Sequence, residues 1–388
     1  MTKKKILLMA GFIILILLVI FITAYNDARK DHIALQDAKR REQTAIYHSI
    51  SAEEGEWIRQ NQLENGAILL YRQSDAPEGT VNPYFACLAA LGLLSDHNEE
   101  NIKAVEKYLN WHTGELLKYN GIIKDYSLKD GVLTPTEKAD SVDSYAAEYL
   151  LLLAEYAETA GEAKIESING WYEAVGLLHE ALLSVTDEIT YANQDHDIAY
   201  LMDNCEVYEA CLAIGKALPD DNAEGQWYIS FADDLKEKAM ERFWRAGEGS
   251  FSYGIFADAS DTGAADFDIF YPDAIAQLYP VFTGMTDKTA DMERLYNTVC
   301  SRFDWQQGKT DTTFEWSVMS DIALSFDDEE AAEEYLGHYR SLTEVSRGYP
   351  MHTANAGWVM RTCNRLSDKI ENAPYEALSL LDFVRRKQ

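Results

Sequence analysis

From residue 50 onward, apolar positions recur at three- and four-residue spacing, the period of a helix packed on one side, and few segments alternate as strands do. The spacing predicts two kinds of helix. Ala52–Gln62, Glu99–Leu117, Asn169–Ser184, Gln226–Trp244, Asp287–Arg302 and Asp328–Glu344 are amphipathic and charged. Pro83–Leu94, Asp143–Glu158, Asp203–Leu218, Pro272–Thr283, Glu315–Ser325 and Asn355–Leu366 are apolar nearly all round and rich in Ala, Leu and Gly. A helix apolar on every side is buried, and one with a charged stripe faces water. Six outer and six inner helices therefore alternate along the chain, and Tyr375–Arg386 is expected to form a closing helix. Links from inner to outer helices are short, such as Ser95–Asn98, Gly284–Thr286 and Phe326–Asp327. The first four outer-to-inner links are long, about twenty residues or more, a length usually tied to function. They hold β-like pieces at Gly66–Tyr71, Gly121–Ile123 and Ser250–Gly254. This order describes an all-α ring, an (α/α)6 toroid, with every long loop on the face where the inner helices begin.

The N-terminus has a different pattern. Lys3-Lys4-Lys5 precede an uncharged apolar run from Ile6 to Tyr25, which at about 1.5 Å per residue spans a bilayer's hydrocarbon core of roughly 30 Å. Cleavable signals have shorter apolar regions, about 7–15 residues, ending in a small-x-small site, and Thr23-Ala24-Tyr25 matches that poorly. A retained single-pass anchor is expected, with the lysines inside and the rest of the chain outside the cell. The expected division is 1–27 as cytoplasmic tip and anchor, 28–49 as a charged stalk, and 50–388 as the toroid. The five cysteines, Cys87, Cys205, Cys211, Cys300 and Cys363, have no metal-type spacing and read as buried thiols.

Each inner helix opens on polar and aromatic residues although its body is apolar. The openings are Asn82-Pro83-Tyr84-Phe85, Asp140 to Tyr145, Tyr200 to Tyr208, Asp266 to Asp273, Phe314 to Ser317 and His352 to Trp358. In a ring these converge on one axis. Carboxylates among Tyr and Trp suit a sugar polymer, whose C–H faces stack on rings while its hydroxyls bond to carboxylates and amides. Asp and Asn at helix starts are also ordinary N-caps, worth about 1 kcal/mol each, and Tyr145, Tyr208 and Trp316 equally fit a core. Both readings stand at this point.

The run Asp130-Gly131-Val132 … Ala139-Asp140-Ser141-Val142-Asp143-Ser144-Tyr145-Ala146-Ala147-Glu148-Tyr149-Leu150-Leu151 resembles a signature of family-eight glycoside hydrolases and their six-hairpin relatives, DG…ATDAD…IAYAL. The resemblance implies an (α/α)6 barrel over about residues 50–388 and puts Asp140 and Asp143 at the cleavage subsite. It further implies a general acid on the first long loop, in an EGxGYG context. Glu64 precedes a glycine there, in Gln62-Leu63-Glu64-Asn65-Gly66-Ala67-Ile68, but the rest of that context is missing. The expected catalytic set is Glu64, Asp143 and Asp203. Asp140, Tyr84, Tyr145, Asn204, Tyr208, Tyr271, Asp273, Trp316 and Trp358 are the expected substrate contacts.

Charge narrows the ligand. The chain has 34 basic and 65 acidic residues among 388, a formal net charge of −31, which opposes nucleic acid and anionic surfaces alike. Hydrophobic residues at 47% and only 8 prolines set disorder aside. No GxGxxG, GxxxxGK[ST], HExxH or GxSxG pattern occurs, so no cofactor or metal is expected. The function expected is inverting hydrolysis, outside the cell, of a neutral or amino-sugar glycan. Two alternatives remain: a non-catalytic glycan-binding protein beside cell-envelope polysaccharide synthesis or export machinery, and a uronic-acid lyase or epimerase. The last needs basic groups near the base, for which Lys138, His196 and His352 are the candidates.

Overall fold

The structure, a computed structural model, describes residues 3–71, 78–136, 139–195, 197–219, 221–379 and 383. Among the described residues thirteen α-helices succeed one another: α1 (Lys3–Gln60), α2 (Pro83–Ser95), α3 (Glu99–Lys118), α4 (Asp143–Ala160), α5 (Glu162–Ile165), α6 (Trp171–Ser184), α7 (Leu201–Ala217), α8 (Ala223–Phe243), α9 (Tyr279–Phe282), α10 (Ala290–Arg302), α11 (Val318–Ser325), α12 (Glu329–Thr343) and α13 (Thr353–Glu371). The chain folds as two compact units, residues 50–364 and residues 1–49 with 365–388.

In the larger unit the end of α1 and helices α3, α6, α8, α10 and α12 alternate with α2, α4, α7, the 270–282 segment, α11 and α13. In α2 every residue from Ala86 to Leu94 is buried, and α4 is buried at fourteen of its eighteen positions. Such helices cannot stand against water, so they line the bore. The outer helices begin on ordinary side-chain caps, Asn98 for α3, Asn222 for α8, Thr289 for α10 and Asp328 for α12. The ring closes where α13 meets α2. A Cβ built on Gly92 would lie 2.2 Å from the Cα of Gly357, a backbone approach that only glycine permits. Ser320 Oγ and Thr362 Oγ1, 2.8 Å apart, tie α11 to α13.

The fourth inner element departs from the regular helix expected over Pro272–Thr283. It is interrupted: Tyr271 within Phe270–Ala274 is extended, residues 275–276 are α-helical, and a second helical turn runs from Tyr279 to Phe282. The long loops form small sheets. Gly79–Val81, Tyr126–Lys129 and Val132–Pro135 make one of three antiparallel strands, and Ile198–Tyr200 pairs with Gly254–Phe256. Residues 375–379, expected to open a closing helix, carry no helix, and most of the remainder lies outside the described residues. All five cysteines are free thiols, four of them buried.

In the smaller unit, α1 is one continuous helix from the apolar run through the charged stretch. Its N-terminal part is long and apolar enough to cross a membrane. The C-terminal residues run antiparallel along it. Arg40 donates to the carbonyls of Glu371 and Ala373 at 3.0 and 2.5 Å. Gln36 exchanges two bonds with the Glu376 backbone, and the Tyr25 hydroxyl donates to Leu378 O at 2.8 Å.

Candidate active site

The starts of the inner helices share one mouth, and its walls are of two kinds. Five sides carry aromatic rings in unbroken succession. Tyr145 faces Tyr84 at 5.7 Å between centroids, and Tyr84 meets Phe85 at 5.3 Å. Phe85 packs on His352 at 4.6 Å, and His352 on Phe314 at 4.9 Å. Phe314 meets Trp316 at 5.0 Å, and Trp316 stacks on Tyr271 at 5.1 Å and 28°. Tyr271 is 48% exposed, so the stack presents ring surface to water.

Carboxylates close the remaining side. Ser141 Oγ lies 2.6 Å from Asp143 Oδ1 and 3.1 Å from Asp203 Oδ2. A hydroxyl has one proton to give, so Ser141 donates fully to only one of the two carboxyls at a time. Asp143 is fully buried and takes a further bond from the Ser144 N–H at 2.9 Å, whereas Asp203 is only partly covered. Burial and the adjacent Asp143 charge hold the Asp203 carboxyl well above the usual range. Burial raises the Asp143 carboxyl as well, so the two groups bridged by Ser141 titrate as a pair above the usual carboxylate range. Neither residue is the N-cap of its helix: that position belongs to Val142 in α4 and Tyr200 in α7, and neither makes a side-chain cap bond.

Asp125, just before the strand Tyr126–Lys129, accepts from the Tyr145 hydroxyl at 3.3 Å, and Asn82 donates to that same hydroxyl. Burial raises Asp125 to about 6, with the Asp140 charge pushing the same way. Asp140 itself is exposed at the mouth. Below the mouth, Glu206 Oε1 accepts from the Tyr84 hydroxyl at 2.7 Å. Glu148, on the facing helix, is raised to about 8, chiefly by burial and next by the charge of Glu209, while Arg361 pulls it down.

The chain has the six-hairpin (α/α)6 glycosidase fold. It superposes on a wild-type glycosidase with a TM-score of 0.59 at 12% identity, covering 86% of this chain and 99% of that one. It matches the GH76A α-1,6-mannanase of Salegentibacter sp. HEL1_6 at 0.53 and 9%, covering 83% and 99%. A family 8 endoglucanase from Klebsiella pneumoniae matches at 0.51 and 10%, covering 82% and 99%. No protein-family model and no curated sequence matches the chain.

Within this six-hairpin frame, Asp140, Asp143, Asp203, Tyr84, Tyr145, Tyr271 and Trp316 lie together at the mouth. Five other residues do not. Glu64 sits in an exposed turn that Gly66 seats against Lys107 and Trp111 of outer helix α3. Asn204 is buried with its amide engaged by the backbone of Thr190 and Tyr200. The Tyr208 ring lies under Lys236 of outer helix α8. Asp273 accepts from the Asp266 N–H at 3.0 Å and so folds its own loop. Trp358 lies farther down the bore, against Phe282 and under the Arg361 guanidinium. Glu315 turns outward to Tyr335 and His338. Phe85 and Phe314 reach the mouth with the helix openings that hold them, whereas Asp125 is a mouth residue that periodicity alone does not mark. Lys138 and His196 lie outside the described residues, and among the described residues no cluster of three His, Cys, Asp or Glu side chains could hold a metal ion.

Proposed function

We propose that the chain is a glycoside hydrolase of a neutral or amino-sugar glycan, anchored in the membrane by the N-terminal part of α1, with the toroid outside the cell. The observation that carries this is a pair of carboxyls bridged by one hydroxyl, both raised above the usual range by burial, at a mouth otherwise walled by aromatic rings. Glycoside hydrolysis needs an acid to protonate the departing oxygen and a carboxylate to activate water. Asp203, the partly exposed member of the pair, is the acid. Asp143 cannot be the base. Two bonds of 2.6 and 3.1 Å to the same hydroxyl bring the carboxyls closer than the about 6.5–9.5 Å that an attacking water requires. Asp125 is the base: at about 6 it is ionised at neutral pH, and the Tyr145 hydroxyl orients it. Asp140 flanks the pair, and the Tyr271–Trp316 stack carries sugar faces. These assignments replace Glu64 as the acid.

The second reading, a non-catalytic glycan-binding protein, draws support from Glu64 lying off the mouth. Hydrolysis of an oligosaccharide panel, followed by mass, separates the two. New reducing ends that vanish in Asp203→Asn support catalysis, and binding without product supports the second reading.

A further inference from the structure

The C-terminal segment changes partners along α1. From Glu371 to Glu376 it is held by polar groups: Arg40 on the carbonyls of Glu371 and Ala373, Gln36 on the Glu376 backbone, and Asp37, whose Oδ1 accepts from the Tyr375 hydroxyl at 2.7 Å. From Leu378 onward the partners are aromatic. The Tyr25 hydroxyl holds the Leu378 carbonyl, and Phe383 meets Tyr25 at 5.4 Å and Phe21 at 5.5 Å between centroids, edge-on to both. Leu378 and Phe383 are each 4% exposed.

Phe21 and Tyr25 belong to the last turn of the apolar run, and Asn26 and Asp27 follow it. A run about 30 Å long fills the hydrocarbon core from side to side, so its last turn lies at one edge. Tyrosine is a favoured side chain in that layer. A ring packed on both Phe21 and Tyr25 shares its depth. Backbone there must find its partners within the protein, and the described backbone does. Leu378 O accepts from Tyr25, and Ser379 O accepts from the Phe383 N–H at 3.0 Å, one α-type turn after residues 374–379, which have no regular structure. In sequence, Leu380, Leu381 and Val384 flank Asp382 and Phe383, and Arg385-Arg386-Lys387 come next. Apolar residues beside a cluster of cations suit a bilayer interface, with the stems among acyl chains and the charged heads at the phosphates.

We infer that the segment carrying Phe383 is a second membrane contact of the chain, seated among the acyl chains at the outer edge of the bilayer beside α1. This inference rests on the anchor reading of α1 and on no part of the glycosidase reading.

The test uses the full chain in vesicles of phosphatidylcholine and phosphatidylglycerol, with lipids brominated near the head of the acyl chain as the quencher. The eight native tryptophans lie between Trp57 and Trp358, outside the apolar run, so an added indole stands out against the parent. Ile20→Trp, at an exposed position of the apolar run, reports on α1. Phe383→Trp reports on the segment, and so does Ser379→Trp, at an exposed position that a larger side chain leaves undisturbed. The brominated lipid should remove the added emission of Ile20→Trp and Phe383→Trp, and a smaller part of that of Ser379→Trp. Emission lost in Ile20→Trp but kept in both segment variants overturns the inference and leaves the anchor standing. Emission kept in all three overturns the anchor reading, and the inference fails with it.

Discussion

Asp143 and Asp203 meet on a single hydroxyl, 2.6 Å from one and 3.1 Å from the other, with Ser141 between them. Their helices bring them together from 60 residues apart in sequence. Asp143 is fully buried and Asp203 partly exposed, and burial raises both carboxyls.

The roles proposed for Asp125 and Asp203 predict a pH dependence of hydrolysis, because the two carboxyls sit in different surroundings. Asp125, at about 6, must be ionised, so activity should fall below about pH 6. The alkaline limb should mark loss of the proton shared by Asp143 and Asp203, as an apparent value belonging to the pair. Asp125→Asn should reduce kcat by about 10²–10⁴ and remove the acid limb from what remains. An acid limb unchanged in this variant would assign the base elsewhere. A pH series of initial rates reads both.

Glu148 links the bore to stability. Its folded value, about 8, lies above the 4.5 of a free glutamate, so the folded state holds the proton more tightly. That contribution is fully present below about 4.5 and is lost as pH rises through about 8. Glu148→Gln keeps the shape and removes the titration. The variant should melt higher than the parent above pH 8, by an amount on the order of a few kcal/mol, and the advantage should vanish at pH 5. Thermal melts at the two pH values check the sign.

Two glycine substitutions separate ring closure from helix propensity. Gly92→Ala drives a methyl to within 2.2 Å of the Gly357 Cα, so α2 and α13 must part, at a cost of about 3 kcal/mol or more. Gly114→Ala, on the exposed face of α3 with nothing within 4 Å, should stabilise by up to about 1 kcal/mol. Denaturant midpoints of the two variants should move in opposite directions.

The ring was legible because burial on all sides leaves a strong mark on a sequence. Pro83–Leu94 was expected and Pro83–Ser95 forms, and Asp143 begins α4 as its position implied. Tertiary pairing was not legible. Gly121–Ile123 looked like a strand, but the strand forms at Tyr126–Lys129, where two partners are available. Candidate residues at the very start of an inner helix lie at the mouth, such as Asp143 and Tyr145. Those a turn or more farther in were misplaced, because rotation around the helix decides their neighbours: Tyr208 faces α8 and Trp358 faces Phe282. Asp125 escaped because it lies on a loop, where periodicity says nothing about direction. Glu64 rested on resemblance, and its turn is laid along α3 by Gly66 rather than over the mouth.

The most direct measurement is product analysis by mass after incubating the full chain, and its Asp203→Asn variant, with cellotetraose, α-1,6-mannotetraose and chitotetraose. The account predicts shorter oligosaccharides from at least one substrate with the parent. It predicts a rate lower by about 10²–10⁴ in Asp203→Asn, with binding and melting temperature retained. Full hydrolysis by Asp203→Asn would contradict it, as would a parent that binds a tetrasaccharide and never cleaves it.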